Sequence, residues 1–288
     1  MYDSDMFTVT PTSQKVKLVA GETYTGTIMV ANPANATQDF DFIVSVAPYN
    51  VTGEDYGADL KTTSSRTNIV NWIKISDPRG TLKPNEVKKV NFTITVPEDA
   101  AGGGQYAALL VGSDMQKAAE SGLSVQNVYE IASVIYGDVA GDTVHDGEIV
   151  DNYVPGFSFN LPVTVSATLR NDGNIHETAR IGLKIKNVIT AETVYPQNGE
   201  NGAIEEVIMP ETTRYTTRDI NSISPLGIYE VTQTVTYLGE SSTFRQTLIV
   251  CPLWFLLLVI MTVGAVLASI IRLVVKHRKN RRTKKNRS

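Results

Sequence analysis

The sequence predicts an all-β protein with one helical exception: two tandem immunoglobulin-like antiparallel β-sandwiches followed by a single transmembrane α-helix. Three observations lead to this prediction. Much of the chain alternates apolar and polar residues with the two-residue period of half-buried strands. The order of turn residues recurs in two successive blocks. Near the C-terminus, 26 consecutive residues between Arg245 and Arg272 carry no formal charge.

The first block contains three segments with one apolar and one polar face. The apolar positions are Tyr24, Gly26, Ile28 and Val30, then Phe40, Phe42, Val44 and Val46, then Val90, Phe92, Ile94 and Val96. Gly, Pro and Asn turns separate these segments, and no amphipathic helical run of useful length competes with them. Short strands at this spacing are typical of antiparallel sandwiches of the immunoglobulin-like kind. We predict the first sandwich over residues 5–140.

The second block repeats this organisation. Its apolar positions are Phe157, Phe159, Leu161, Val163, Val165, Ala167 and Leu169, and later Tyr229, Val231, Val235 and Tyr237. Both blocks pass through a turn after an early strand, then a Pro-containing turn, then a Gly-x-Tyr sequence that opens a late strand. Pro and Gly at matching points suit the same edge and turn positions. We predict the second sandwich over 153–250 and an acidic, turn-rich linker over 141–152.

The apolar run from Leu253 to Ile271 predicts a membrane-spanning helix over 251–275. Its 19 residues would extend about 28 Å as a helix, close to the ~30 Å hydrocarbon core of a bilayer. The residues expected at the membrane boundaries are Leu253, Trp254, Phe255, Arg272 and Lys276. Membrane lipid is therefore the first predicted partner. The competing interpretation is a very apolar core helix of a soluble protein.

Charge predicts how this helix is oriented. All 30 acidic residues and 17 of the 26 basic ones precede the apolar run, a net charge of −13, whereas nine basic residues lie from Arg272 onward. Basic residues beside a span stay on the cytoplasmic side. We predict a single-pass cell-membrane protein with extracellular sandwiches and a basic cytoplasmic tail over 276–288. Anchoring explains the basic run, so no nucleic acid partner is predicted.

This topology requires an export signal. The first ten residues, MYDSDMFTVT, contain neither a basic region nor an apolar region of the kind that signal peptides have. We therefore expect that a signal peptide has been removed from this chain.

Several segments of the first block are similar to a known family. These are Phe7 to Pro11, Tyr24 to Asn32, Leu82 to Gly112 and Tyr129 to Gly137. Together they resemble the N-terminal, peptidoglycan-binding domain of the WxL-interacting proteins of Gram-positive bacteria. The most specific piece is PEDAAGGG, from Pro97 to Gly104. A second sandwich, a C-terminal membrane helix and a basic tail follow in the same order. The resemblance implies attachment to peptidoglycan or to another surface protein.

Two insertions interrupt the first block. Tyr49 to Asn71 is long and polar, and long loops on a rigid sandwich are common sites of binding. The candidate contact residues in this loop are Tyr49, Asn50, Glu54, Asp55 and Tyr56. Strand addition at a sheet edge is the alternative mode of binding. The second insertion, Ser113 to Gln126, includes a predicted helical turn over Met115 to Ser121.

Residues for catalysis or metal binding are sparse. Before the apolar run the chain has two histidines, His145 and His176, and the lone cysteine, Cys251, allows no disulfide within the chain. Neither a paired nucleophile and base nor a metal-ligand cluster is evident, so we predict no catalytic residue, no metal and no cofactor. The predicted function is therefore non-enzymatic: display of immunoglobulin-like domains towards the cell wall or a surface partner.

Two alternative functions remain open. One is an accessory subunit of a membrane secretion or transport complex, and the other is a tail-anchored adaptor with a major-sperm-protein-like domain. The helix also contains small residues at four-residue spacing, Gly264 with Ala268 and Ala265 with Ser269. Such residues let two helices approach closely, which suggests a homodimer through the membrane as a hypothesis.

Overall fold

The structure is a computed structural model that describes residues 7–114, 129–196 and 202–285, with side chains as far as residue 276. Within these ranges it contains twenty strands, one short 3-10 helix and one long C-terminal α-helix. The predicted all-β architecture with a single apolar helix is confirmed. The predicted helical turn over Met115 to Ser121 lies outside the described residues.

The first sandwich consists of two sheets with the strand orders β1-β3-β9-β7 and β2-β11-β10-β4-β8. All of its strand pairs are antiparallel except β2 with β11. A separate hairpin, β5–β6, and the 3-10 helix Ser65–Asn71 lie between β4 and β7. The strands are β1 (Thr8–Thr10), β2 (Ser13–Leu18), β3 (Thr23–Ala31), β4 (Phe40–Pro48), β5 (Asn50–Thr52), β6 (Gly57–Asp59), β7 (Ile73–Ile75), β8 (Arg79–Leu82), β9 (Val87–Thr95), β10 (Gly103–Ser113) and β11 (Glu130–Val139).

One core holds these two sheets together. Ile28 and Phe92 of one sheet and Phe42 of the other are completely buried in the same cluster. The alternation that predicted β3, β4 and β9 is thus the alternation between core and solvent. Burying a side chain of this size stabilises a fold by about 1.5–3 kcal/mol. With no disulfide possible within the chain, such burial is the main source of stability.

The second sandwich is built from nine strands. One sheet has the order β12-β14-β18, and the other runs β13-β20-β19-β15, with β16 and β17 both paired to β15. The pair β13 with β20 is parallel. The strands are β12 (Gly147–Tyr153), β13 (Phe157–Ser158), β14 (Val163–Asn171), β15 (Glu177–Asn187), β16 (Thr193–Tyr195), β17 (Ala203–Ile208), β18 (Thr212–Ile220), β19 (Gly227–Tyr237) and β20 (Glu240–Val250).

The linker is shorter than the predicted range 141–152. Its second half belongs to β12, which pairs with β14 from Gly147 onward. The register shifts between Ile149 and Asp151, so this strand does not show the regular alternation by which the others were recognised. The stretch between β11 and β12 therefore covers only residues 140–146.

The C-terminal helix, Leu253–Lys285, begins three residues after β20 ends at Val250. Its first 24 residues, Leu253–Lys276, have a mean hydropathy of 2.6, and none of the most apolar window is buried against the sandwiches. This helix is long and apolar enough to cross a membrane. An apolar core helix would be mostly buried, so the competing interpretation does not describe this element.

Candidate binding site between the two sandwiches

The β5–β6 hairpin extends from the first sandwich to the second. Its tip turns through two residues with positive φ, Gly53 (69°) and Tyr56 (59°). The backbone N–H of Tyr215 in β18 donates to the Glu54 carbonyl at 2.8 Å. The predicted binding loop therefore contacts the second sandwich directly.

Tyr56 is held by two hydrogen bonds at this contact. Its hydroxyl hydrogen-bonds Thr212 Oγ1 and accepts the backbone N–H of Met209 at 3.0 Å. The guanidinium of Arg214 lies over the Tyr56 ring, 4.6 Å from its centroid. Burial is the main cause that raises the pKa of Tyr56 above its usual value. The phenol is therefore neutral at physiological pH.

Asn174 connects the sandwiches at a second point. Its carbonyl accepts the Gly104 N–H at 2.9 Å and Arg66 Nη1 at 2.7 Å, both from the first sandwich. Gly103 has φ of +121°, and a Cβ at this position would lie 3.0 Å from the same carbonyl. The glycines of the PEDAAGGG stretch thus allow the turn of the second sandwich to approach.

An aromatic cluster continues from this junction. His176 lies with its ring 5.7 Å from that of Tyr106 and 5.3 Å from that of Tyr136, measured between centroids. Burial, with a smaller effect of the Lys15 charge, lowers the pKa of His176 to about 4. Burial also raises the pKa of both tyrosines. All three rings are therefore uncharged at neutral pH.

A cleft of about 260 Å³ opens beside these contacts, and we refer to it as the inter-sandwich cleft. Its lining combines three aromatic rings with two carboxylates and one guanidinium. The residues are Tyr49, Tyr56, Tyr136, Glu205, Glu206, Val207, Met209 and Arg214. Arg214 is ion-paired with Glu206 at 2.5 Å. Glu205 is the other carboxylate of the lining, and it is not the partner of Arg214 in this ion pair. Such a lining suits a neutral or cationic polar ligand by ring contact and hydrogen bonding.

The five predicted binding residues divide between the cleft and its rim. Tyr49 and Tyr56 line the cleft. Asn50 lines a smaller adjacent pocket of about 80 Å³ and donates to the Thr62 carbonyl at 2.6 Å. Glu54 and Asp55 are exposed at the hairpin tip and do not line the cleft.

Sequence reasoning missed the other half of the lining. Tyr136 lies in β11, Glu205 and Glu206 lie in β17, and Arg214 lies in β18. The short spacing between Glu206 and Arg214 was the available signal, since it places the two charges on consecutive strands. Over the part of the chain that the structure describes, no group of three or more His, Cys, Asp or Glu side chains is arranged to hold a metal ion.

The predicted anchor residues all belong to the C-terminal helix. Leu253 and Trp254 are well exposed at its start, and the Trp254 and Phe255 rings meet edge to face at 5.7 Å. Arg272 and Lys276 lie near the end of the apolar span. Within the span, the Thr262 and Ser269 hydroxyls donate to helix carbonyls, so these polar groups are satisfied inside the helix.

Comparison with known proteins gives structural likenesses only. No family model and no curated protein matches the chain. A chain of the chaperone–tip adhesin complex of CFA/I fimbriae is 10% identical over 84% of this chain and 98% of its own, with a TM-score of 0.40. A chain of the CsuC–CsuE chaperone–tip adhesion subunit complex of Acinetobacter baumannii is 17% identical over 85% and 99%, with a TM-score of 0.37.

A further structural neighbour matches only about half of this chain, a length similar to that of one sandwich. WR4, a C. elegans MSP family member, is 11% identical over 46% of this chain and 98% of its own, with a TM-score of 0.27. Likenesses of this size carry no function across. The fold assignment rests on the sheets described above.

Proposed function

We propose that the chain is a non-enzymatic, single-pass surface protein that displays two joined immunoglobulin-like sandwiches outside the cell, towards the wall or a surface partner. The observation that carries this proposal is the exposed 24-residue apolar helix that directly follows the second sandwich. Nine basic residues from Arg272 onward favour a cytoplasmic C-terminus. A tail-anchored adaptor would have to move those charges across the bilayer.

Protease treatment of intact cells that express the full chain tests the orientation. We expect an external protease to remove the sandwiches and to leave a small fragment containing the helix and the basic tail. An epitope at the C-terminus should be protected until the cells are lysed. Complete protection of the sandwiches in intact cells would contradict the proposal and support the adaptor alternative.

For the ligand, we favour peptidoglycan or another surface protein, bound at the inter-sandwich cleft. The resemblance of the first block to the WxL-interacting proteins supports this choice. So does the lining, because aromatic rings beside carboxylates suit the sugar faces, amides and amino groups of wall material.

Cosedimentation of the detergent-solubilised full chain with purified cell walls tests the ligand. We expect Tyr49→Ala to weaken binding about tenfold or more, since buried aromatic contacts dominate binding energies. Tyr153→Ala is the matched control, because Tyr153 is half exposed on β12 and does not line the cleft. Absence of binding to walls and to any surface protein would remove this part of the proposal. If both variants lost binding affinity equally, the ligand would bind outside the inter-sandwich cleft.

A further inference from the structure

The connection between the second sandwich and the C-terminal helix is very short. Only Cys251 and Pro252 separate the end of β20 from Leu253, and two extended residues span about 7 Å. Cys251 is itself tied to the sandwich, because its N–H donates to the Ser158 carbonyl at 3.0 Å. Phe255 and Leu256 then donate to the Pro252 carbonyl as the helix begins. The end of the sandwich that contains Val250 therefore lies close to the first turn of the helix.

Strand register shows which loops share this end, which we call the helix-proximal end. Phe157 pairs with Ile249, and Gly227 pairs with Val250. The N–H of Val188 donates to the Ile228 carbonyl at 2.9 Å. The connections over 154–162, 188–192 and 221–226 thus surround the start of the helix. The turn that contacts the first sandwich, with Asn171 at the end of β14, lies at the opposite end.

The helix-proximal end is apolar and exposed. Seven of the eleven exposed large apolar side chains described within residues 147–250 lie there. Ile189 is 75% exposed and Val188 is 51% exposed. The others are Phe157, Phe159, Leu226, Ile228 and Ile249. Such a concentration on one end of a domain marks an interaction surface.

The loops at the same end carry a single formal charge, that of Glu192. Apart from Glu192, residues 154–162, 187–192, 220–228 and 246–252 contain no Asp, Glu, Lys or Arg, although the chain before the apolar run has a net charge of −13. Solvent-facing loops of an acidic domain normally carry part of that charge. An exposed surface that is apolar and almost without charge suits the boundary between water and lipid.

We propose that the helix-proximal end of the second sandwich inserts into the interfacial region of the bilayer, with Phe157, Phe159 and Ile189 in contact with lipid. The inference rests on the proposed membrane anchoring, since the helix brings this end to the bilayer surface. Trp254 and Phe255 at the start of the helix are residues that favour the same interfacial layer. The sandwich is then supported on the membrane rather than held above it by a flexible stalk.

Fluorescence of the full chain in lipid nanodiscs tests this contact. In a Cys251→Ser background, single cysteines are introduced as Ile189→Cys, Val144→Cys and Val263→Cys and labelled with an environment-sensitive dye. Phosphatidylcholine carrying a nitroxide near the headgroup serves as the quencher for positions 189 and 144, and phosphatidylcholine carrying a nitroxide deep in its acyl chain serves as the quencher for position 263. Ile189 and Val144 are both exposed apolar residues; Ile189 is at the helix-proximal end of the second sandwich and Val144 is in the linker at its opposite end, whereas Val263 lies within the apolar span.

We expect the dye at position 189 to show a blue-shifted emission and to be quenched about twofold by the nitroxide lipid, as an interfacial group is. The dye at 144 should remain in water and unquenched. A water-like, unquenched dye at 189 with a quenched dye at 263 would overturn the inference while leaving the anchor intact. A blue shift at 189 without quenching would also overturn it, because a protein would then cover this end. An unquenched dye at 263 would contradict the anchoring itself.

Discussion

At the residue scale, the contact between the sandwiches depends on a few side chains with many partners. The backbone carbonyl of Asn174 accepts hydrogen bonds from Gly104 and Arg66, and its side chain hydrogen-bonds the linker. Its Oδ1 accepts the Val144 N–H at 2.7 Å, and its Nδ2 donates to the Asp142 carbonyl at 2.8 Å. One residue thus connects both sandwiches and the linker, which gives a single turn a large influence on their relative position.

His176 makes the stability of this junction dependent on pH. Burial lowers its pKa in the folded chain to about 4 from its usual value of 6.5, so the folded state binds the proton only at a lower pH than the unfolded state does. The contribution of His176 to stability is therefore complete above pH 6.5 and is lost as the pH falls towards 4. We expect a loss of about 1–3 kcal/mol in the free energy of unfolding over this interval.

Urea unfolding of the full chain in nanodiscs at pH 7.5 and pH 4.5 measures this effect. His176→Gln should unfold with a smaller difference between the two pH values than the unsubstituted chain. An identical difference in both proteins would show that His176 does not control acid stability.

At the scale of elements, the β5–β6 hairpin shows how a predicted binding loop also serves the fold. Its strands pair only with each other, over Asn50 to Thr52 and Gly57 to Asp59. An isolated two-stranded hairpin is marginally stable in water. Its contacts with Met209, Thr212 and Tyr215 therefore help to hold Tyr49 and Tyr56 in position at the cleft.

Removing the Tyr56 hydroxyl tests this dependence. Tyr56→Phe leaves the ring in place but takes the acceptor from the N–H of Met209, a residue that is 5% exposed. A buried donor without a partner costs about 1–3 kcal/mol. We expect faster hydrogen exchange over residues 207–215, measured by mass spectrometry on the full chain. Tyr153→Phe, at an exposed site, should leave that exchange unchanged, and a similar effect from both variants would refute the role of the hydroxyl.

At the scale of the whole molecule, several separate contacts join the sandwiches. The hairpin meets β18, and the start of β10 at Gly103 and Gly104 meets Asn174, with Arg66 also ion-paired to Glu211 at 2.8 Å. Further contact comes from Lys15 Nζ, which donates to Thr178 Oγ1 at 2.6 Å. Display of a cleft formed by both sandwiches requires that they stay together, so we expect them to unfold as one unit.

Substitution at Gly103 should uncouple the two sandwiches. Gly103→Ala places a side chain at φ of +121° and 3.0 Å from the Asn174 carbonyl, with a cost of about 1–3 kcal/mol from backbone strain alone. Calorimetry of the full chain in nanodiscs should show one transition for the unsubstituted sandwiches and two for the variant. Gly239→Ala is the control, because Gly239 has φ of +81° and open space around it. A single transition in both variants would mean that this contact does not couple the sandwiches.

Local pattern was sufficient to predict much of the architecture. The alternation around Phe42, Phe92 and Val165 predicted strands whose apolar faces are buried, and the uncharged run after Arg245 predicted the helix. The extent of the linker was not predictable in this way, because a register shift in β12 breaks the alternation there. Half of the cleft was also missed, since Tyr136 and Glu206 look in sequence like ordinary residues of two unrelated strands.

The sequence by itself determined where the strands and the helix form and which of their faces are apolar. These are short-range properties, because period, charge and length act within a single segment. Only the tertiary structure decided that Tyr49, Tyr136 and Glu206 share one cleft, that Gly103 meets Asn174, and that the exposed apolar loops surround the start of the helix. These relations join residues far apart in the chain, and the way two sandwiches pack is set by surface complementarity that no single segment contains.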